Sequence, residues 1–351
     1  MAQDKKLTNE KLSHLWESED IKILDTKNEK YAIFSDLHLG DGGKADDFHH
    51  NEETLETALK FYKENCYNLI LLGDIEEFWQ FDLEQIVGRY DNTVYNKMRE
   101  YGNERVYRVF GNHDYDWCSP ADPVFSNSGK QKGAPEALKM RDSKGNIKIL
   151  LVHGHQGNIE SDKNSWLSKF LVRGIFKPVE PYAKFLGFYG HPSATKSQIT
   201  KDYERIMYNW AKSQKIILIC GHSHRTIFAS KSYADKLEEE IAELQADNSS
   251  NRNEREKVKK NRKKIKQLKR KLQEEKVKGR KIDPTEPNKE PLPCYFNTGC
   301  GLYTDGITNI EVADDEIKLV KWHRDVTKVP RFVVYEKGRL GEYIELITSL
   351  Q

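Results

Sequence analysis

The chain is poor in cysteine, in long apolar runs and in net charge, and each deficit excludes a class of protein. Its five cysteines show no C-x-x-C pair and no disulfide-type spacing, which argues against a disulfide-bonded secreted scaffold and favours a reducing compartment. No apolar run approaches the roughly 20 residues that span a bilayer, and residues 1–6 lack the apolar core of a signal peptide. We therefore expect a cytoplasmic protein without a transmembrane segment.

The low net charge hides a strong local asymmetry. The 57 Lys and Arg residues nearly balance the 55 Asp and Glu residues, so the formal net charge is +2. Residues 255–281 nevertheless hold fifteen Lys or Arg against three Glu, a net charge of +12, which leaves about −10 for the rest. The sequence thus predicts a basic arm on an acidic body. Such an arm could bind nucleic acid or an anionic surface, or it could be a solvated spacer that pairs only with itself.

Five short apolar runs, each followed by polar side chains, are the most informative pattern present. The runs occupy residues 31–34, 69–72, 106–110, 147–152 and 216–220. The side chains that follow them are Asp36, His38, Asp74, Asn112, His153, His222 and His224. Short apolar runs bounded by turn residues are typical of buried strands, and ligands of layered α/β folds gather outside the carboxyl ends of such strands. We therefore expect these side chains to converge on one site.

The residue types indicate a metal centre. Asp, Asn and His offer the oxygen and nitrogen donors that suit Mn, Fe, Zn and similar divalent ions. Seven ligands are too many for one catalytic ion, which must keep a position open, but they suit two ions that share a bridging carboxylate. Such a pair can clamp an in-line displacement at phosphorus, and a metal-bound water with a lowered pKa becomes the nucleophile. Glycines at positions 73, 111, 154 and 221 would allow tight turns beside the ligands.

The motifs resemble those of the calcineurin-like metallophosphoesterase superfamily. They appear in the family's order as Asp36-Leu-His38, Gly73-Asp74, Gly111-Asn-His-Asp114, His153 and Gly221-His-Ser-His224. The resemblance implies that one ion binds Asp36, His38, Asp74 and His224. It implies that the other ion binds Asp74, Asn112, His153 and His222, with Asp74 as the bridge.

The same resemblance assigns roles around the reacting phosphate. His113 would face the scissile phosphate and stabilise charge or protonate the leaving oxygen, and Asp114 would orient His113 by a hydrogen bond. Arg225, which follows the last motif, is a candidate for substrate binding. His155 has three open interpretations: support of a ligand, substrate contact or no role.

The resemblance implies an α/β fold, a four-layer αββα sandwich with additions. We predict a polar lead-in (1–30), a metallophosphoesterase core (31–230) that includes a helical cap (158–213), a charged insertion (231–290) and a C-terminal completion of the core (291–351). Within the last part, residues 307–312 and 316–322 are expected to form a hairpin of strands. Aromatic residues interleaved with cations in the cap would suit a substrate with an apolar or base-like portion and a phosphate.

The insertion has coiled-coil character. Leu237, Ile241 and Leu244 follow heptad spacing, and so do Ile265, Leu268 and Leu272. A polar turn signal separates the two sets, and the first arm is acidic where the second is basic. The sequence therefore predicts an antiparallel helical hairpin, although the same seam could serve dimerisation.

The predicted function is hydrolysis of a phosphoester or phosphoanhydride, as a metal-dependent phosphatase or phosphodiesterase with two divalent ions. Manganese is the first choice, and iron or zinc would also fit the ligand set. The segment from Glu77 to Trp79 and the stretch from Gly221 to Arg225 are similar to the UDP-diacylglucosamine pyrophosphohydrolases, which implies a lipid-linked substrate, whereas His113 is typical of the phosphatase and phosphodiesterase branches. Two alternatives remain open: a nuclease that uses the basic hairpin, and a scaffold without activity.

Overall fold

The protein is described by a computed structural model that covers residues 2–118, 133–157, 194–250, 255–277, 291–324 and 330–349. Most of the predicted cap, residues 158–193, lies outside these described residues. The turn of the hairpin was expected at residues 247–252, but residues 247–250 are helical and residues 251–254 lie outside the described part. The part of the predicted cap that is described, from residue 194 onward, is helical.

The described residues form thirteen strands and eight α-helices. The strands are β1 (Ile23–Asp25), β2 (Lys30–Phe34), β3 (Tyr67–Leu72), β4 (Val106–Val109), β5 (Ala137–Arg141), β6 (Ile147–Val152), β7 (Ile217–Cys220), β8 (Thr226–Phe228), β9 (Lys231–Ser232), β10 (Tyr295–Thr298), β11 (Gly306–Ala313), β12 (Glu316–Arg324) and β13 (Pro330–Arg339). The helices are α1 (Ala2–Glu17), α2 (Glu52–Glu64), α3 (Leu83–Tyr90), α4 (Asn96–Arg99), α5 (Ala194–Gln214), α6 (Tyr233–Ser250), α7 (Arg255–Val277) and α8 (Leu340–Thr348).

The strands build two mixed sheets. One has seven strands in the order β1-β5-β6-β7-β10-β8-β9, and the other has six in the order β13-β12-β11-β2-β3-β4. In the six-stranded sheet, β2, β3 and β4 run parallel, with α2 as the crossover between the first two. In the seven-stranded sheet, β6 and β7 run parallel to each other. The five strands that precede the predicted ligands are therefore two sets of parallel neighbours.

The sheets pack face to face and are covered by helices. One apolar cluster joins Ile33 and Ile70 of the six-stranded sheet to Leu151 and Ile219 of the seven-stranded sheet. The alternate residues of β2 face the other way, where Phe34 packs in a second cluster with residues of α2 and α3. Because β2 and β3 are buried on both faces, they read as uninterrupted apolar runs in the sequence. The predicted α/β fold with two sheets is confirmed.

The N-terminal residues are more structured than their composition suggested. The prediction of a polar lead-in over residues 1–30 is wrong, since α1 packs on the body and β1 pairs in parallel with β5. Leu12 and Leu15 of α1 are buried in the core cluster. Trp210 of α5 donates a hydrogen bond from Nε1 to Ser13 Oγ at 3.0 Å. Leu12 and Leu15, three residues apart, dock one face of this helix on the body, while its many charged residues dominate the composition.

The C-terminal residues complete the six-stranded sheet. The expected hairpin is present as β11 and β12, and β11 pairs in antiparallel register with β2. Beyond it, β13 adds an edge strand and α8 buries Leu340, Ile344 and Ile347. The chain that forms the last part of the core therefore returns to the sheet that carries the first two ligand motifs.

Helices α6 and α7 pack on each other along an apolar seam of Leu237, Ile241, Leu268 and Leu272. Ion pairs cross between the helices, among them one from Lys257 to Asp247 at 2.8 Å and one from Lys264 to Glu240 at 2.6 Å. As the residue number rises along α7, the number of its partner on α6 falls, so the helices are antiparallel.

Among the described helices, none combines the length and the apolar character that a membrane span requires.

Candidate metal centre

The first group of side chains at the strand ends consists of Asp36, His38 and His224. His224 Nε2 lies 3.2 Å from Asp36 Oδ1 and 3.2 Å from His38 Nε2. His38 Nε2 lies 4.0 Å from Asp36 Oδ1. One ligand atom from each residue can therefore reach a common point, and the three atoms lie within 4.8 Å of one another.

The second group consists of Asp74, His153 and His222, whose ligand atoms also lie within 4.8 Å of one another. His153 Nε2 is 3.0 Å from Asp74 Oδ2. The same carboxylate oxygen lies 3.9 Å from His38 Nε2, which belongs to the first group. Asp74 thus lies between the two groups, which is the place that a bridging carboxylate requires.

The backbone at these residues is strained. Five of the seven predicted ligands have a positive φ, namely Asp36 (52°), His38 (51°), Asp74 (52°), His222 (66°) and His224 (56°). Residues with a Cβ adopt this left-handed region uncommonly and at a cost on the order of 1–3 kcal/mol each, and such residues cluster at functional sites. The surrounding fold therefore holds these side chains in directions that an unconstrained chain would avoid.

Glycine permits the close approach of two loops at the site. A Cβ at Gly111 would collide with the Asp74 carboxylate, and one at Gly221 would collide with Ser35 and with the Asp36 carboxylate. The His222 amide, directly after Gly221, donates to both carboxylate oxygens of Asp36 at 3.0 and 2.9 Å. The absence of a side chain at these two positions lets the backbone itself orient the acidic ligands.

The donors at this site fit divalent cations. Asn112 Oδ1 is buried and, among the described residues, accepts no hydrogen bond. His153 Nδ1 lies 2.9 Å from the carbonyl oxygen of Leu72. A carbonyl oxygen only accepts, so Nδ1 carries a hydrogen, and a neutral His153 would present the lone pair of Nε2 to a cation. A buried amide oxygen without a hydrogen-bond partner and a buried imidazole nitrogen, beside two carboxylates, are donors that a metal ion would bind.

The charges of the side chains also fit a cation site. Burial opposes charge on Asp74, but His153 and His113 outweigh it and hold the pKa of Asp74 well below its usual range. Burial lowers the pKa of His153, yet Asp74 and Asp36 raise it to about 10. The carboxylates stay charged because the neighbouring imidazoles hold protons. A cation bound to these ligands would take the place of those protons.

Glu77 links a predicted ligand to the predicted catalytic histidine. Its carboxylate lies 2.8 Å from His38 Nδ1 and 2.8 Å from His113 Nδ1. Trp79 stacks on the His113 ring with centroids 3.9 Å apart, and its indole Nε1 donates to the Asn112 carbonyl oxygen at 3.0 Å. Burial alone would raise the pKa of Glu77, but the effect of His113 and His38 is larger and lowers that pKa to about 2. His113 is thus clamped between an anion and an aromatic face.

The predicted orienting role of Asp114 is therefore wrong. Its Oδ2 accepts a hydrogen bond from the Ile75 amide at 2.9 Å, and its Oδ1 accepts one from the Gly111 amide at 2.5 Å. Asp114 ties the loop after β3 to the loop after β4, and Glu77 contacts the His113 ring instead. Burial, together with Asp74 and Glu76, raises the pKa of Asp114 to about 7.

The two predicted substrate contacts have different surroundings. His155 is buried beside His153 and His222, with ring centroids 5.6 and 6.5 Å away, and burial together with those two rings holds its pKa well below the usual range. Arg225 is nearly buried and donates from Nη1 to Glu204 of α5 at 2.7 Å. Its guanidinium is held by that carboxylate, so a substrate contact for Arg225 stays a prediction, as it does for His155.

Tyr303 holds the backbone of His224 and was missed in the sequence. Its hydroxyl donates to the His224 carbonyl oxygen at 2.7 Å. The ring lies under the Lys321 ammonium, 4.3 Å from the centroid, and Lys321 in turn pairs with Asp305 at 2.8 Å. Asn51 fixes the same loop by donating from Nδ2 to the Tyr303 carbonyl oxygen at 2.8 Å.

We expect Tyr303→Phe to weaken metal binding without unfolding the protein. Hydrogen bonds that orient a ligand typically change metal affinity about 10–100-fold when they are lost. Isothermal titration with Mn²⁺ would measure the change. Tyr101→Phe is the matched control, because the Tyr101 hydroxyl donates to the Leu59 carbonyl oxygen at 2.6 Å away from the site. Equal Mn²⁺ affinity in both variants would contradict the assigned role.

Comparison with known proteins identifies the pattern. The model of the family described as calcineurin-like phosphoesterase matches residues 29–226. No curated protein matches the chain. Vps29 from Chaetomium thermophilum is 11% identical with a TM-score of 0.33, over 89% of this chain and 97% of that one. A double mutant of Vps29 from Entamoeba histolytica is 12% identical with a TM-score of 0.32, over 88% and 99%. Sequence identities and TM-scores this low give no information about the site of this chain or its activity.

Proposed function

Since the chain belongs to the calcineurin-like phosphoesterase family, we propose that it hydrolyses a phosphoester or phosphoanhydride with the help of two divalent metal ions. The observation that carries the proposal is that all seven predicted donors follow five buried strands, with Asp74 between the two groups that six of them form. A scaffold that had lost catalysis would be expected to have lost ligands. Here all seven side chains are present, and six of them form the two groups described above.

We assign Asp36, His38, Asp74 and His224 to one ion and Asp74, Asn112, His153 and His222 to the other. Bound there, the ions would supply Lewis-acid neutralisation of the phosphoryl oxygens and a water of lowered pKa. The chain itself fixes the ligands by backbone bonds, as from the His222 amide to Asp36. Manganese, iron and zinc all suit this mixture of nitrogen and oxygen donors.

His113 is proposed to handle the proton of the leaving group. Its Nδ1 side is held by Glu77, so the Nε2 side is the one left to meet a substrate, and the side chain is 22% exposed. Burial would lower the pKa of His113, but Glu77 and Asp74 raise it to about 9. A protonated imidazole near neutral pH can stabilise negative charge on the phosphoryl group and then protonate the departing oxygen.

The substrate is proposed as a phosphorylated small molecule or a lipid-linked pyrophosphate of the UDP-diacylglucosamine type. Trp79, stacked on His113, offers a flat aromatic wall directly beside the reacting position. Such a wall suits an aromatic base or another flat apolar group attached to the phosphate. Phe78 and Phe81, its neighbours in the same aromatic stretch, are instead buried in the core.

Metal depletion should abolish hydrolysis, and Mn²⁺ should restore it. The test is the chelator-treated full chain assayed with Mn²⁺, Fe²⁺ or Zn²⁺ on an aryl phosphomonoester, an aryl phosphodiester and a UDP-linked pyrophosphate lipid. A preference for the lipid would assign the pyrophosphohydrolase branch, and a preference for a simple ester would assign the phosphatase or phosphodiesterase branch. If the protein bound two metal ions and hydrolysed none of the three substrates, this result would count against the hydrolase proposal and favour a scaffold.

A further inference from the structure

The outer face of α7 carries a regular row of cations that the candidate metal centre does not use. Lys259, Lys263, Lys266 and Arg270 are exposed and spaced by four, three and four residues. Residues three and four apart lie on one side of a helix, about one turn from each other. We call these four residues the cation stripe. It spans about 16 Å along the helix at 1.5 Å per residue.

The stripe points away from α6. The inner side of α7 is defined by Leu268 and Leu272, which are buried in the seam, and by Ile265, which packs against it. At about 100° per residue, the members of the stripe lie roughly opposite these three positions. The seam thus turns the stripe outward to solvent.

The acidic residues of α6 do not neutralise the stripe. The pairs between the two helices engage Lys257 and Lys264, which flank the seam. Among the described residues, no carboxylate lies within ion-pair distance of any member of the stripe. Further exposed cations on α7, Lys260, Arg262 and Lys269, widen the basic surface on both sides. A hairpin that paired only with itself would have placed these charges against α6.

We propose that the cation stripe binds the phosphate backbone of a nucleic acid without reading its sequence. One strand of DNA carries a phosphate about every 3.4 Å, so the length of the stripe faces about five phosphates. The rest of the chain has a net charge of about −10, by subtraction of the +12 of residues 255–281 from the total of +2. That acidic body repels a polyanion and leaves the hairpin as the surface on which it is held.

A lipid surface fits the stripe less well. Helices that lie on membranes bury an apolar face between the headgroups. Between residues 259 and 270 the apolar residues of α7 are Ile265 and Leu268, and both are engaged in the seam. The outward side of this stretch therefore presents cations without apolar residues. Such a surface complements a solvent-exposed phosphate backbone.

The test is the binding of a fluorescein-labelled 30-base-pair DNA duplex to the full chain, followed by fluorescence anisotropy at several salt concentrations. The variant replaces Lys259, Lys263, Lys266 and Arg270 by Gln. Because four phosphate contacts are lost, the slope of log K against log salt should fall by about 3.6, and affinity at 0.1 M salt should fall about 10³-fold. Gln has nearly the helix propensity of Lys, so circular dichroism should be unchanged.

The control variant replaces four exposed lysines of the body, Lys5, Lys27, Lys60 and Lys212, by Gln and has the same net charge as the stripe variant. It should bind the duplex as the wild type does. Three results would overturn the proposal: no binding by the wild type at 20 mM salt, equal losses in both variants, or a stripe-dependent preference for phosphatidylserine vesicles over the duplex. Since binding is measured apart from hydrolysis, an inactive protein that binds DNA would leave this proposal standing.

Discussion

Replacing Asp74 by Asn should reduce phosphoester hydrolysis by at least about 10³-fold, because several kcal/mol of charge stabilisation by two metal ions would be lost. Asp74 is the acidic residue that lies between the two ligand groups, 3.0 Å from His153 Nε2 and 3.9 Å from His38 Nε2. Its other oxygen accepts a hydrogen bond from the His113 amide at 2.8 Å. Asparagine keeps the size of the side chain but offers one oxygen and no charge. Metal analysis by mass spectrometry should find both ions depleted.

The matched control is Asp142→Asn. Asp142 is also a buried aspartate, but its Oδ1 accepts amide hydrogen bonds from Lys144 and Asn146 in the turn between β5 and β6, away from the metal centre. This variant should keep its metal content and its kcat even if it is less stable. If Asp74→Asn retained two ions and the wild-type rate, Asp74 would not be a bridging ligand, and the assignment of the two metal sites would have to be replaced.

Much of the centre could be predicted because its residues follow buried strands. A strand covered on both faces leaves a continuous apolar run, as at residues 69–72, and the residue after it must lie at the sheet edge. Asp36, Asp74 and His153 follow such runs directly or nearly so. The sequence order of the motifs then identified the family without any knowledge of distances.

The residues that the sequence did not reveal act across long separations. Tyr303 reaches His224 from the loop before β11, 79 residues along the chain, and a tyrosine after Leu302 has no local signal for that contact. Glu77 does have a local signal, because it follows Asp74 by three residues. That position alone did not show whether Glu76 or Glu77 contacts the histidines. The structure separates them: Glu76 accepts hydrogen bonds from Arg108 at 2.7 and 3.0 Å, whereas Glu77 faces the histidines.

Asp114 shows why adjacency is a weak guide to partnership. It stands next to His113 in the sequence, but successive side chains in a tight loop diverge. Its two oxygens are used by amides of the loops that carry Asp74 and Asn112. The carboxylate that does reach His113 is 36 residues away. The misassigned residue therefore still serves the centre, by fixing the spacing of two ligand loops instead of the orientation of an imidazole.

Glu77→Gln is expected to lower kcat on the order of 10²–10³-fold at saturating metal, the range that positioned acid–base groups contribute. Glu77 accepts from His38 Nδ1 through Oε2 and from His113 Nδ1 through Oε1, and glutamine replaces one of these two oxygens by a donating NH₂ group. Metal affinity should also fall about 10–100-fold, because the second partner of a ligating histidine is lost. Saturating Mn²⁺ would correct that part and leave the deficit in kcat.

The pH profile separates this role from simple loss of structure. In the wild type the Glu77 carboxylate, together with Asp74, raises the pKa of His113 to about 9 against the effect of burial. Without the charge of Glu77 that pKa falls, so the protonated imidazole is lost at lower pH and the alkaline limb of kcat should move to lower pH. Asp114→Asn provides the contrast, since it removes one of two amide acceptors and should cost about 1–3 kcal/mol of stability. Its alkaline limb should stay in place, and a shift in Asp114→Asn but not in Glu77→Gln would return the orienting role to Asp114.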